Sequence, residues 1–285
     1  MLTTSRQGRD VIVPTRDGLH LKARWWTVRQ PRGVVVVAHG LGEHGGTYAH
    51  LAEAVGGALE LDFFALDFRG HGRSPGRRGV VRRYQDLVED LRAVVEFARA
   101  RRPDVPLFVL GHSNGGQVVL RLALEPPQGV AAVIASNPSI RIAMHVPPAK
   151  LKLGKFLHSF LPWMTLRADA RSEWMTRDPQ MQTIHRSDGL RHNRISAPLF
   201  FGMVEGGEML LSRAGEIRVP LLMLVSGQDP VVCPLSNREF YDRLGSEDKL
   251  FVLYPKMLHE PFNELGREQV FNDLIGWLEP RLGRD

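Results

Sequence analysis

The chain has 285 residues, 43% of them hydrophobic and 24% charged, with a formal net charge of +6. That length supports one full-sized core, or one large domain carrying a modest insertion. The positive charge would suit nucleic acid or an anionic membrane, but the chain has no zinc-finger spacing, no RNP-like aromatic strand and no continuous basic arm. Its Arg-rich pieces, Arg77-Arg78, Arg82-Arg83 and Arg99 to Arg102, flank separate elements and read as solvated surface, so no nucleic-acid partner is expected. No run approaches the roughly 18 apolar residues of a membrane span, and MLTTSRQGRD lacks the apolar stretch of a secretory signal. The lone cysteine, Cys233, rules out an intrachain disulfide and suits a reducing compartment. A cytoplasmic location is therefore expected, with peripheral contact at a membrane surface left open.

Val11 to Val13 and Leu19 to Trp25 read as a hairpin around Asp17-Gly18. Val34 to Ala38 is an uninterrupted apolar run, as in a parallel strand covered on both faces. A glycine-rich loop, His39 to Gly46, leads to a helix near Tyr48 to Val55. The strand Phe63 to Leu66 ends in a second glycine-bearing loop. Tyr84, Leu87, Val88, Leu91, Val94, Val95 and Ala98 recur at helical spacing. Strand Leu107 to Leu110, a helix through Leu124 and strand Val130 to Ser136 follow. The alternation pauses near Asn137 and resumes with strand Leu221 to Ser226, a helix near Asn237 to Leu244, strand Leu250 to Tyr254 and a helix over Glu268 to Leu278. The fold expected is α/β, a mostly parallel sheet with helices on both faces. Residues 1–136 and 216–285 form its core, and 137–215 an inserted, mainly helical cap.

The chemistry centres on Leu107 to Leu120, LFVLGHSNGGQVVL. Strand, sharp turn and small-residue helix around Gly111-His112-Ser113-Asn114-Gly115 form the G-x-S-x-G arrangement that exposes a serine at a strand end. A serine hydroxyl needs a base within hydrogen-bond reach, usually histidine because its pKa lies near neutrality. Position selects among the eleven histidines. Ligands gather at the carboxyl ends of parallel strands, and His259 follows strand Leu250 to Tyr254 at such an end. Asp229, just beyond strand Leu221 to Ser226, is placed to orient the imidazole. Glu260 adjoins the base too closely to orient it, and Asp248 precedes its strand. The oxyanion requires backbone N–H donors, expected from Asn114 and from Leu41 in the first glycine loop.

His39, His44, His71 and His112 crowd the same sheet edge, but their spacings match no metal motif, and His39, His71 and His112, each beside a glycine turn, read as loop braces. The glycine loop lacks a dinucleotide register and no G-K-[ST] follows it. No metal or cofactor is expected.

His39-Gly40-Leu41-Gly42-Glu43-His44 with Tyr48, Asp67-Phe68-Arg69-Gly70-His71-Gly72-Arg73-Ser74, and Gly111-His112-Ser113-Asn114-Gly115-Gly116 occur in order, followed by Gly227-Gln228-Asp229 and Leu258-His259-Glu260. Over nearly its whole length the chain thus resembles the α/β-hydrolases of the monoacylglycerol lipase and lysophospholipase group. The resemblance implies a cofactor-free serine esterase in which Ser113 attacks the carbonyl. His259 accepts its proton, passes it to the leaving alcohol and later activates water. Methionine usual after the nucleophile is replaced by Asn114, which keeps the N–H but makes that wall more polar.

Within the cap, residues 137–168 carry Arg141, Lys150, Lys152, Lys155 and Arg167 and no acidic residue. Leu153, Phe156, Leu157, Phe160, Leu161 and Met164 interleave at helical spacing, fitting an interfacial lid or a pocket roof. Phe156, Leu157, Phe160 and Trp163 are the expected substrate-binding residues, with Trp174 a further wall candidate. The expected substrate is a single-chain lipid ester, a monoacylglycerol or lysophospholipid. The enzymatic rivals are a small-carboxylester esterase and an aminopeptidase or amidase, the last needing an acidic anchor such as Glu205 or Glu208. A small-molecule receptor on a hydrolase scaffold is the alternative outside enzymes. Oligomeric state is not legible.

Overall fold

A strand that is apolar at every position needs cover on both faces, and β3 (Gly33–Ala38) receives it. The structure, a computed structural model, describes residues 8–168 and 171–282. Val34, Val36 and Ala38 enter one buried cluster, while Val35 and Val37 enter another across the sheet. Around β3 lie β1 (Arg9–Pro14), β2 (His20–Trp26), β4 (Leu61–Leu66), β5 (Leu107–His112) and β6 (Val130–Ser136). With β9 (Leu221–Ser226) and β10 (Lys249–Tyr254) they form an eight-stranded sheet in the order β1-β2-β4-β3-β5-β6-β9-β10. The β1–β2 hairpin and the β2–β4 pair are antiparallel; all remaining neighbours are parallel. Helices α1 (Ala49–Leu59) and α9 (Arg267–Leu278) cover one face, and α2 (Gln85–Arg101), α3 (Asn114–Leu124) and α8 (Pro234–Arg243) the other. Because β3, β5, β9 and β10 run in one direction, the segments after each of them gather at one sheet edge.

The chain leaves this core after β6. Among the described residues, the excursion contains α4 (Pro148–Phe160), β7 (Thr165–Arg167), α5 (Ser172–Met175), α6 (Pro179–Ser187) and β8 (Arg194–Ser196). Residues 169 and 170 of the expected cap lie outside the described residues. Strands β7 and β8 pair antiparallel from Thr165↔Ser196 to Arg167↔Arg194, and three residues each is too short for an alternation to register in sequence.

Helix α7 (Ala197–Arg213) departs from the expected boundary at 216. Its Leu199, Met203, Leu210 and Leu211 share a buried cluster with Val118, Val119 and Leu122 of α3. Gln117 of α3 also donates to the Met203 carbonyl at 2.7 Å. The approach is close enough that a Cβ on Gly207 would sit 1.7 Å from the Ile140 carbonyl oxygen. The packed core therefore resumes at α7, and the outer cap ends near β8. No described helix is long and apolar enough to cross a membrane.

Candidate active site

Ser113 stands between β5 and α3 with φ 55° and ψ −119°, a left-handed backbone uncommon for a residue with a Cβ. Its neighbours must be small for the turn to close. A Cβ at Gly111 would lie 2.3 Å from the Gly115 carbonyl oxygen, and one at Gly115 would lie 2.2 Å from that of Ala38. The turn is held by the Ser113 N–H donating to Ser136 at 2.9 Å, and by the Ser113 carbonyl accepting from Gln117 at 3.0 Å. This strain presents the hydroxyl to the edge where the loops meet.

His259 Nε2 lies 2.8 Å from Ser113 Oγ, and His259 Nδ1 lies 2.7 Å from Asp229 Oδ2. All three side chains are buried. The remaining oxygen of Asp229 accepts from the N–H groups of Val231 and Val232 at 2.8 and 3.0 Å, which fixes the carboxylate's rotation. Burial by itself would lower the pKa of His259, but the charge and hydrogen bond of Asp229, with smaller contributions from Glu260 and Glu43, raise it above its ordinary value. The two acids set aside in favour of Asp229 are engaged elsewhere. Glu260 faces Arg191 at 2.7 Å, and Asp248 pairs with Arg281 at the far end of its strand.

Asn114 begins α3, so its backbone N–H is one of the unpaired donors of a helix start. Leu41 borders the same cavity from the loop after β3. Among the described residues neither of these N–H groups donates to a protein acceptor. The loop is braced from behind by His39: Nδ1 donates to the Gly40 carbonyl at 2.7 Å, and Nε2 accepts from the Phe68 N–H at 3.1 Å. Burial pushes this imidazole well below the usual histidine range, so it is neutral. Asp67 joins the two glycine loops, accepting from Gly45 and Arg73 N–H groups at 2.7 Å each. His112, its ring tilted against that of His259 with centroids 4.9 Å apart, is pushed down to about 3 by burial and by His259.

A cavity of about 460 Å³ opens beside Ser113 and runs under the cap, walled by apolar side chains including Ile142, Leu151, Leu166, Ile195, Phe200 and Met203. The four residues expected to bind substrate, Phe156, Leu157, Phe160 and Trp163, do not line this cavity. Helix α4 carries two stripes: Lys150, Leu151 and Gly154 turn inward, and Leu157 continues that stripe as a buried contact beyond the cavity. Phe156 and Phe160 project outward, 52% and 66% exposed, as does Trp163 at 49%. Helical periodicity reveals that apolar stripes exist but not which of them meets the core. Trp174 contributes its carbonyl, which accepts from the His259 N–H at 3.3 Å, and is no part of the wall.

Asn137 escaped sequence reasoning. With φ 41°, its side chain donates to Ser226 Oγ at 2.9 Å and to the His259 carbonyl at 2.7 Å, and accepts from the Ser226 N–H at 2.8 Å. One buried amide thus ties the ends of β6 and β9 to the histidine loop. Only its place directly after a strand, where the sheet pattern breaks, could have signalled it.

A parallel sheet with a strained serine at the end of β5, a buried His–Asp pair and an apolar cavity defines a serine hydrolase of the α/β-hydrolase fold. The family model for serine aminopeptidase, S33, matches residues 29–266, and the chain belongs to that family, within its monoacylglycerol lipase and lysophospholipase group. A monoacylglycerol lipase of Mycolicibacterium smegmatis is 34% identical over 262 residues, spanning 90% of this chain and 92% of its own. The crystal structure of a Paleococcus ferrophilus monoacylglycerol lipase superposes with a TM-score of 0.83 at 29% identity, over 92% of this chain and 99% of that one. A soluble variant of the Saccharomyces cerevisiae monoglyceride lipase, bound to a substrate analogue, shares the fold with a TM-score of 0.87 at 24% identity, over 99% and 97% of the two chains.

Proposed function

We propose that this serine hydrolase cleaves single-chain lipid esters, monoacylglycerols or lysophospholipids, with Ser113, His259 and Asp229 as its catalytic triad. The observation that carries the reading is the Ser113–His259–Asp229 hydrogen-bond chain opening directly into a mainly apolar cavity. In the first step Ser113 Oγ attacks the ester carbonyl while its proton passes to His259 Nε2. The tetrahedral oxyanion is met by the N–H groups of Leu41 and Asn114. Asp229 stabilises the imidazolium, which then protonates the departing alcohol. Water, deprotonated by His259, attacks the acyl-enzyme and releases the fatty acid.

The aminopeptidase reading requires an acidic anchor for a substrate amine. Glu208 pairs with Arg141 at the surface, and Glu205 does not line the cavity. The carboxylates that do line it among the described residues, Glu43 and Asp188, are held by Tyr48 and His44 respectively. These engagements favour an uncharged acyl chain. The receptor alternative is tested by fluorophosphonate: stoichiometric labelling at Ser113 supports the enzyme, and an unreactive folded protein supports the receptor.

If the cavity holds an acyl chain, kcat/KM rises as p-nitrophenyl esters lengthen from acetate towards octanoate. Each buried CH₂ contributes about 0.8 kcal/mol, nearly fourfold in rate, until the space is filled. Leu151→Asp, on the wall, is expected to penalise octanoate far more than acetate. Phe156→Asp, on the outer stripe, should affect the two alike. A flat chain-length profile in the parent enzyme sinks the lipid-ester reading and leaves a small-substrate esterase.

The outer stripe of α4 supports peripheral contact by a cytoplasmic enzyme with a membrane surface. Leu153, Phe156, Phe160, Trp163 and Met164 are exposed beside Lys152 and Lys155, the pattern of a helix lying in a lipid interface. The double variant Phe156→Glu/Phe160→Glu is expected to lose sedimentation with anionic phospholipid vesicles while hydrolysing dissolved p-nitrophenyl butyrate normally. Undiminished sedimentation of that variant rejects this contact.

A further inference from the structure

The inner cap does more than roof the cavity, because three of its backbone groups bond directly to the catalytic loops. The His192 N–H donates to the Gly42 carbonyl at 2.9 Å. The N–H groups of His259 and Glu260 donate to the carbonyls of Trp174 and Met175 at 3.3 and 2.8 Å. Next to these bonds lies Arg191, between α6 and β8, with its guanidinium between two buried carboxylates. Its Nη2 is 2.7 Å from Glu260 Oε1 and 3.8 Å from Glu43 Oε1.

The two carboxylates belong to different parts of the site. Glu43 lies in the loop after β3, accepting from the Gly40 N–H at 3.2 Å and the Tyr48 hydroxyl at 2.9 Å. Glu260 follows His259, accepts from the Asn263 side chain at 2.6 Å and lies 3.2 Å from His185 Nε2. We propose that Arg191 is a positioning residue supplied by the cap, bridging the oxyanion-loop and histidine-loop carboxylates and balancing charge that would otherwise hold His259 protonated. The inference rests on the triad reading given above.

Charge accounting supports it. The groups facing His259 are Asp229, Glu260, Glu43 and the adjacent His112 ring; those facing the carboxylate pair are Arg191, His185, Tyr48 and Asn263. Burial lowers the pKa of both His112 and His185, which leaves Arg191 as the permanent cation of the group. Burial and the neighbouring Glu260 raise the pKa of Glu43. Glu260 goes the other way: burial would raise it, but Arg191 first, with His185, His112 and the Asn263 hydrogen bond, together outweigh burial and hold it well below the usual carboxylate range. Arg191 is therefore the cation that offsets the Glu260 carboxylate beside the general base. Removing it leaves Glu260 to act on His259, which favours the imidazolium and disables the base at low pH.

The test is the pH dependence of kcat/KM for p-nitrophenyl acetate in the parent, R191M, R191Q, R191K and the double variant R191M/E260Q. In R191M and R191Q the acid limb is expected to move up by about one pH unit, the scale of a nearby-charge effect. The loss should fall on kcat more than on KM, because the guanidinium is engaged by the Glu260 and Glu43 carboxylates and acts through the charge on His259. R191K, which retains the charge, should keep the parental limb, and R191M/E260Q, which removes the unbalanced carboxylate, should return to it. Folded R191M or R191Q with an unmoved limb overturns the proposal. So does failure of both to fold, which would make Arg191 a stability residue alone. Serine dependence separates the two readings: an unmoved limb in an enzyme that S113A inactivates removes only the role of Arg191, whereas activity surviving in S113A removes the triad itself.

Discussion

Replacing Ser113 by alanine is expected to lower ester-hydrolysis kcat by at least about 10³-fold, because no acyl-enzyme can form and only binding and the oxyanion donors remain. Alanine keeps the Cβ and hence the same backbone demand at φ 55°, so the far-ultraviolet circular dichroism should match that of the parent. The change removes one hydroxyl and its bond to His259 Nε2. Steady-state turnover on p-nitrophenyl butyrate, with protein mass confirming the absence of a fluorophosphonate adduct, decides the matter. Activity within tenfold of the parent would take Ser113 out of the nucleophile's role.

Asp229→Asn should cost roughly 10²- to 10⁴-fold in kcat, through the imidazole tautomer rather than through lost packing. Oδ1 of Asp229 accepts two backbone N–H groups, from Val231 and Val232. An asparagine must put its carbonyl oxygen there, which turns its NH₂ towards His259 Nδ1. That nitrogen must then accept, so the proton moves to Nε2, the atom needed to take the proton of Ser113. Glu260→Gln serves as the comparison, since Glu260 is sequence-adjacent to the base yet bound to Arg191. If Glu260→Gln proves the more damaging at equal folding, the acid is misassigned.

Much of this site is legible from local patterns because each part of it is local. The apolar runs of β3 and β5 announce doubly covered strands, and the small residues around Ser113 announce a turn too tight for side chains. Asp229 and His259 are readable because strand direction puts the ends of β9 and β10 at the same edge as Ser113. The 2.7 and 2.8 Å contacts are what that placement leads to once the loops are packed. Strand ends and chain order thus suffice to bring Ser113, Asp229 and His259 together from sequence.

What sequence did not determine depends on contacts between distant segments. The spacing in α4 shows apolar stripes, but only packing against the core decided that Leu151 faces the cavity while Phe156 and Phe160 face solvent. The return of α7 to the core turned on a close approach at Gly207, which no periodicity encodes. Asn137 and Arg191 are polar residues whose partners lie 89 or 122 positions away in the first case and 69 in the second. The amino-acid sequence by itself determined the core elements, their order and the residue types at the strand ends, because those follow from backbone periodicity and turn sterics within a few residues. Tertiary structure alone decided which stripe is inside and which buried polar groups meet, because burial and pairing depend on neighbours brought together from far along the chain.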